Sequence, residues 1–135
     1  AAFNPEAVVK VTDVLLASHE NTAQIIDARP AARFNAEVDE PRPGLRRGHI
    51  PAALNVPWTE LVREGELKTT DELDAIFFGR GVSYDKPIIV SCGSGVTAAV
   101  VLLALATLDL PNVKLYDGAW REWGARADLP VEPVK

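Results

Sequence analysis

The stretch Ile88-Ile89-Val90-Ser91-Cys92-Gly93-Ser94-Gly95-Val96-Thr97-Ala98 decides the fold. The apolar run 87–91 reads as a buried strand of a parallel sheet. Cys92 follows, then a turn holding two glycines, and then residues 96–108, a mostly apolar run that reads as a buried helix. In open α/β sheets, ligands bind at the carboxyl ends of the strands, and that is where this reading puts Cys92. Gly93 and Gly95 let the backbone curl with its N–H groups turned inward, a concave cradle for an anion. The start of the following helix adds its positive end. A thiolate is favoured over a thiol in such a cradle and is available as a nucleophile. A terminal persulfide sulfur, also anionic, suits the same place. The plain alternative is a small buried hydrophobe ahead of a turn.

Outward from this loop, β-like and helical runs alternate. Residues 8–11 suit a short first strand. Thr12 is placed to cap a helix carrying Val14, Leu15 and Leu16, with Asp13 favourable in its first turn. Ile25-Ile26-Asp27 reads as a buried strand, and Pro30 opens a short helix through Phe34. Residues 35–48 hold three acids and two prolines and form a long loop, of the kind that tends to carry function. Residues 53–56 suit a strand and 58–62 a short helix. Thr69-Thr70-Asp71-Glu72 is a capping box, opening a helix with Leu73, Ile76 and Phe77 on one face and Gly79 and Gly81 at its end. Residues 113–116 give the last strand and 119–125 the last helix. The pattern predicts an α/β fold with a central, mostly parallel sheet of about five strands and helices on both faces.

The chain has 135 residues, which suits one domain over residues 1–135 with one core. Its net charge of −5, with no basic run, argues against nucleic acid as a partner. The longest apolar run, residues 98–108, is broken by Thr107 and is too short to span a bilayer, so no membrane role is expected. Residues 1–9 show no basic segment followed by an apolar one, so the expectation is no signal peptide and a cytoplasmic setting. A lone cysteine cannot form an internal disulfide, and two histidines and one cysteine, widely spaced, do not make a metal site.

Two chemistries use a cysteine in such a loop. A phosphatase needs a longer loop and an arginine to grip the phosphate, but Ala98 stands six residues after Cys92 and residues 93–97 contain no Arg or Lys. Sulfur transfer needs only a nucleophilic sulfur and a ring of N–H donors, and it fits better.

These residues resemble the rhodanese superfamily. Cys92-Gly93-Ser94-Gly95-Val96-Thr97 is similar to the active loop of its 3-mercaptopyruvate sulfurtransferase branch, whereas thiosulfate-using relatives carry basic residues where Gly93 and Ser94 stand. Residues 113–123, with Asp117, Gly118 and Trp120, resemble the family's C-terminal signature. Gly48-His49-Ile50-Pro51 is a third match, departing at Ala52, where the family usually has glycine. The resemblance implies a rhodanese-like domain, the C-terminal half of a bacterial two-domain enzyme, with a further His and Asp supplied by the N-terminal rhodanese-like domain. It implies transfer of sulfur from 3-mercaptopyruvate, a 2-keto acid thiol donor, to a thiol acceptor (a thioredoxin-like protein among them) or to cyanide. The intermediate is a covalent Cys92 persulfide, with no cofactor and no metal. A thiosulfate sulfurtransferase, or a non-enzymatic sulfur-carrier or regulatory module binding a protein partner, are the alternative readings.

By the same resemblance, Arg33 and Arg42 are the substrate arginines, able to grip the donor's carboxylate in a bidentate fork. On residue type alone they read as solvated arginines beside Glu37, Asp39 and Glu40. Gly93, Gly95, Val96 and Thr97 complete the binding loop. Ser94 is a catalytic candidate, either donating to the substrate sulfur or leaving enolate or serving as a small turn residue. Asp27, ahead of Arg29, takes a supporting, hydrogen-bonding role, and Asp117 and Trp120 pack near the loop. His19 reads as a helix-end dipole contact, His49 as a residue that fixes a turn, and Arg46 and Arg47 as surface or loop-anchoring residues.

Overall fold

The computed structural model describes residues 8–93, 97–110 and 112–133. In chain order the elements are β1 (Val8–Val9), α1 (Val11–Glu20), β2 (Gln24–Asp27), α2 (Ala31–Phe34), β3 (Leu54–Asn55), a 3-10 turn (Trp58–Leu61) and β4 (Val62–Arg63). There follow β5 (Glu66–Leu67), α3 (Thr70–Gly79), β6 (Ile88–Ser91), α4 (Ala98–Thr107), β7 (Val113–Tyr116) and α5 (Ala119–Trp123). The main sheet runs β1-β7-β6-β2-β3 and every pairing in it is parallel. This is the sheet of about five strands that the alternating pattern predicts.

The strands sort their side chains by period two onto two apolar layers. Ile26, Ile88, Val90 and Leu115 face α3 and α4, packing with Leu73, Phe77, Val101 and Leu105. Ile25, Ile89 and Tyr116 face the other way, against Val14, Ala17, Phe34, Trp120 and Trp123. Burial on both faces is why β2 and β6 read as unbroken apolar runs rather than alternating ones.

The connections place the site. From β2 the chain crosses to β3 on one side, and from β6 it crosses to β7 on the other. The adjacent pair β2 and β6 is therefore the switch point of the sheet, where a crevice opens at the carboxyl ends. In register, Asp27 stands opposite Ser91, so Ala28-Arg29 and Cys92-Gly93 leave the sheet side by side.

Several boundaries differ from the sequence reading. The first strand ends at Val9, and the helix cap sits at Lys10 rather than Thr12. Asp13 explains the shift, since its Oδ2 accepts the Lys10 N–H at 3.0 Å and caps the helix from inside its first turn. Only Leu54–Asn55 of residues 53–56 is paired as strand. Val62 leaves the short helix and opens a β4–β5 hairpin that the sequence reading lacked, closed by Glu64 and Gly65, both at positive φ. Helix α4 is buried on one face only, with Leu103 54% exposed. Its predicted start at Val96 lies outside the described residues, and α5 stops at Trp123. The capping box is as predicted, with Glu72 N–H donating to Thr69 Oγ1 and Thr69 N–H to Glu72 Oε1.

Ala52, where the family resemblance expects glycine, has φ +70°. The Ala53 N–H donates to the Ile50 carbonyl at 3.0 Å, closing a turn with Pro51 second and Ala52 third. A positive φ at the third position favours glycine. Left-handed backbone costs an L-residue about 1–2 kcal/mol, and glycine's greater unfolded-state freedom offsets about 0.5–1 kcal/mol of the relief. Ala52→Gly is therefore expected to stabilise the fold by about 0.5–1 kcal/mol, raising Tm by about 2–4 °C. Thermal melts of the two chains check this; an unchanged or lower Tm refutes it.

Candidate active site

Cys92 follows β6 directly and is fully buried, packed in the layer with Ala98 and Val101. Its carbonyl accepts the Trp120 N–H at 2.8 Å, and the Gly93 carbonyl accepts the Arg121 N–H at 3.0 Å. The first turn of α5 thus holds both carbonyls, fixing the backbone on which the sulfur sits. This tie is not visible in the sequence, because it runs through backbone atoms. Ser94, Gly95 and Val96, predicted to form the rest of the cradle, lie outside the described residues.

Beside the loop lies a chain of four charged side chains. Arg29 is fully buried and meets Asp27 through Nε at 3.0 and 3.1 Å and through Nη2 at 2.7 Å. Its Nη2 also donates to the Gly48 carbonyl at 2.7 Å, and its guanidinium lies 4.5 Å from the centroid of the Trp120 ring. Glu40 follows: Arg29 Nη1 is 3.3 Å from its Oε2. Arg33 completes the chain, with Nη2 donating to Glu40 Oε1 at 2.8 Å and Nε to Oε2 at 3.1 Å. The Glu40 side chain is wholly inaccessible, whereas Arg33 keeps 23% of its side-chain surface exposed. Hydrogen bonding to Glu40 holds the Arg33 guanidinium above its ordinary value against the opposing effect of burial, and the charges of Glu40, Asp27 and Cys92 act in the same direction.

A cleft of about 210 Å³ opens over this chain, lined by Arg33, Glu40, Pro41, Arg42, Leu45, Gly93 and Thr97. It brings together four residues singled out in the sequence: Arg33, Arg42, Gly93 and Thr97. Cys92 is next to its wall, one residue from Gly93. The reason for glycine there is spatial, since a Cβ at position 93 would lie 2.5 Å from Arg33 Nη2. The guanidinium occupies the space a side chain would fill.

The remaining candidates divide. Asp27 is buried and bound to Arg29, as a supporting acid should be. Trp120 is buried and donates through Nε1 to the Arg46 carbonyl at 2.8 Å. Asp117 departs from the expectation: it is exposed and does not pack, and its carbonyl accepts from Arg121 Nη2 at 3.3 Å. Its place in the tight turn between β7 and α5 turns it outward. His49 fixes its turn, its Nδ1 bonded to the Phe34 carbonyl at 2.7 Å and its ring stacked on Phe34. Arg46 anchors the long loop, donating to the carbonyls of Trp123, Gly124, Arg126 and Leu129. Sequence reasoning missed Glu40 and Arg29 as parts of the site. The long loop contains three acids, and nothing in their spacing tells which one folds inward.

Among the described residues there is no group of three or more His, Cys, Asp or Glu side chains that could hold a metal ion. No helix among them is long and apolar enough to cross a membrane.

With this geometry in hand, comparisons with known proteins are specific. The model of the rhodanese-like domain matches residues 11–126. The chain is 98% identical, over all of its 135 residues, to 48% of the 3-mercaptopyruvate sulfurtransferase of Escherichia coli (strain K12). It is 40% identical over 128 residues to the enzyme of the same name from Rattus norvegicus, covering 94% of this chain and 43% of the other. The crystal structure of SseA from Escherichia coli, a 3-mercaptopyruvate sulfotransferase, superposes with a TM-score of 0.76 at 95% identity, over 89% of this chain and 44% of that one. The chain spans about half the length of the curated relatives it matches.

Proposed function

Because the chain belongs to the rhodanese-like domain family, we propose that it is the sulfur-carrying unit of a 3-mercaptopyruvate sulfurtransferase. The observation that carries this reading is the cleft in which Arg33 and Arg42 stand beside the Cys92 loop. The near-identity to curated enzymes of that name supports it.

In the first half-reaction Arg33 and Arg42 hold the carboxylate of the 2-keto acid. The Cys92 thiolate attacks the donor sulfur, an S–S bond forms and the C–S bond breaks. The electron pair goes to carbon as the enolate of pyruvate, which takes up the thiol proton. In the second, a thiol acceptor or cyanide attacks the outer sulfur and regenerates Cys92. Ping-pong kinetics follow from the covalent intermediate. The persulfide replaces any organic cofactor or metal in this scheme. Ser94, Gly95 and Val96 contribute N–H donors and a hydroxyl to the anionic sulfur, and Asp27 and Trp120 act by holding the frame. A cytoplasmic setting suits a lone cysteine that must stay reduced between turnovers. By the family resemblance, the partner of this unit within the enzyme is an N-terminal rhodanese-like domain, which contributes a further His and Asp to the site.

The test is to mix the chain with 3-mercaptopyruvate or with thiosulfate and measure both intact mass and released pyruvate. Gain of one sulfur with pyruvate release is expected from mercaptopyruvate. Gain from thiosulfate alone would favour a thiosulfate sulfurtransferase, and no gain from either donor would favour a regulatory module.

A further inference from the structure

Arg42 reaches the cleft on the long loop, and residues 41–44 of that loop are exposed. Where Arg42 stands is therefore set by the anchors on either side of it. Ahead of it is Glu40, held by Arg29 and Arg33. Behind it is Arg46, which follows Leu45, the last loop residue to line the cleft. Arg46 is bound to α5 and the segment after it by backbone and side chain together. Its N–H donates to the Gly124 carbonyl at 3.1 Å, and its own carbonyl accepts Trp120 Nε1 at 2.8 Å. Its guanidinium donates to four carbonyls, those of Trp123 at 2.9 Å, Gly124 at 3.2 Å, Leu129 at 2.8 Å and Arg126. Only a planar fork of N–H donors can serve carbonyls spread over this much backbone. At its other end the same helix holds the Cys92 carbonyl through the Trp120 N–H. Helix α5 is thus a bridge, with the cysteine loop tied to its first turn and the Arg42 loop tied to its last.

We propose that Arg46 is a positioning residue for the sulfur-donating half-reaction. By fastening the loop to α5 it fixes Arg42 relative to Cys92, so that a donor held by its carboxylate presents its sulfur to the thiolate. The inference rests on the proposed function, since it takes Arg42 as a contact of the donor's carboxylate. Its physical basis is that 3-mercaptopyruvate must be held at two points a fixed distance apart. A misplacement of about 1 Å from a change far from the chemistry can cost about a hundredfold in rate. Cyanide, attacking the outer sulfur of the persulfide, has no carboxylate to be held and does not need the loop in place.

The experiment measures kcat/KM for 3-mercaptopyruvate and for cyanide in the unmodified chain, Arg46→Met, Arg42→Gly and the double variant. In ping-pong kinetics the two constants report the two half-reactions separately. Arg46→Met keeps most of the side chain's length and removes its donors. It should lower the constant for 3-mercaptopyruvate by about tenfold or more and leave that for cyanide within about twofold. Added to Arg42→Gly, it should cost less than about twofold further, because no Arg42 is left to position. A merely structural loss would lower both constants together and would persist in the Arg42→Gly background. Either of those results overturns the inference, as does an unchanged donor constant in Arg46→Met. If Arg46→Met fails to fold, Arg46→Lys decides by the same comparisons. Its single ammonium cannot span the carbonyls, so a fall of about threefold in the donor constant alone is expected, and no fall overturns the inference. An unmodified chain that forms no persulfide, or an Arg42→Gly chain with an unchanged donor constant, refutes the proposed function and the inference with it, and the two failures are thereby told apart.

Discussion

Cys92→Ser, incubated with 3-mercaptopyruvate, is expected to gain no mass, where the unmodified chain gains one sulfur that a reducing thiol then removes. The expected loss is complete, because the chain has no second cysteine and no other residue in it can carry a persulfide. The substitution is also structurally mild. Cys92 is fully buried at the end of β6, where serine is close in size, and the α5 ties to this segment use the backbone carbonyls of residues 92 and 93. Burying a hydroxyl in place of a thiol costs about 1–3 kcal/mol if it finds no partner. The variant should therefore melt at a lower temperature but stay folded. Intact mass, a thermal melt and pyruvate release on the same samples separate the two effects. A sulfur gain surviving in the folded variant would remove Cys92 from the chemistry, and absence of gain in the unmodified chain would remove the chemistry from this chain.

How much of this was legible beforehand depends on what each feature is made of. Strand β6 and the turn after it could be read because a run buried on both faces has to be apolar throughout, and glycines mark the turn. The α3 cap could be read because both partners lie within four residues of each other. Five parallel strands followed from alternation alone. The β4–β5 hairpin could not be read, since strands of two residues show no period. The cap of α1 went to Lys10 rather than Thr12 because the Asp13 carboxylate competes for the same role from within the helix. The site divides along the same line. Gly93 could be read from the turn after β6, Arg33 and Arg42 came from the family resemblance, and the structure gathers all three around one cleft. Glu40 reads as a solvated loop acid until the fold brings Arg29 and Arg33 against it from another part of the chain. Asp117 belongs to a recognisable signature, yet it faces solvent, because a signature does not say which of its residues point inward.

Removing the arginines of the cleft should cost the most after Cys92 itself, and the two should fail differently. Arg42→Gly takes away an exposed side chain from a loop. It should leave Tm within about 1 °C, because surface substitutions of this kind change stability by about 0.5 kcal/mol or less. Arg33→Gly also strips Glu40 of two hydrogen bonds, leaving a wholly inaccessible carboxylate with Arg29 at 3.3 Å as its remaining cationic contact. Breaking a buried ion pair by removing one partner costs about 3–5 kcal/mol, so Arg33→Gly should lower Tm clearly as well as activity. For the reaction, truncating one side of a charge-assisted carboxylate contact costs about 2–5 kcal/mol, a fall in kcat/KM of about thirtyfold to several thousandfold. A third variant isolates the position of the guanidinium from its charge. Gly93→Ala adds a Cβ 2.5 Å from Arg33 Nη2, which must move aside, yet every charge in the cleft is kept. It should raise KM for 3-mercaptopyruvate with less loss of stability than Arg33→Gly. The measurements are kcat and KM on a preparation shown to form the persulfide, with a thermal melt of each variant. Unchanged kcat/KM in both Arg33→Gly and Arg42→Gly would take the donor's carboxylate out of this cleft. A fall in activity that tracked only the loss of Tm would make the Arg33–Glu40 pair a structural clamp and nothing more.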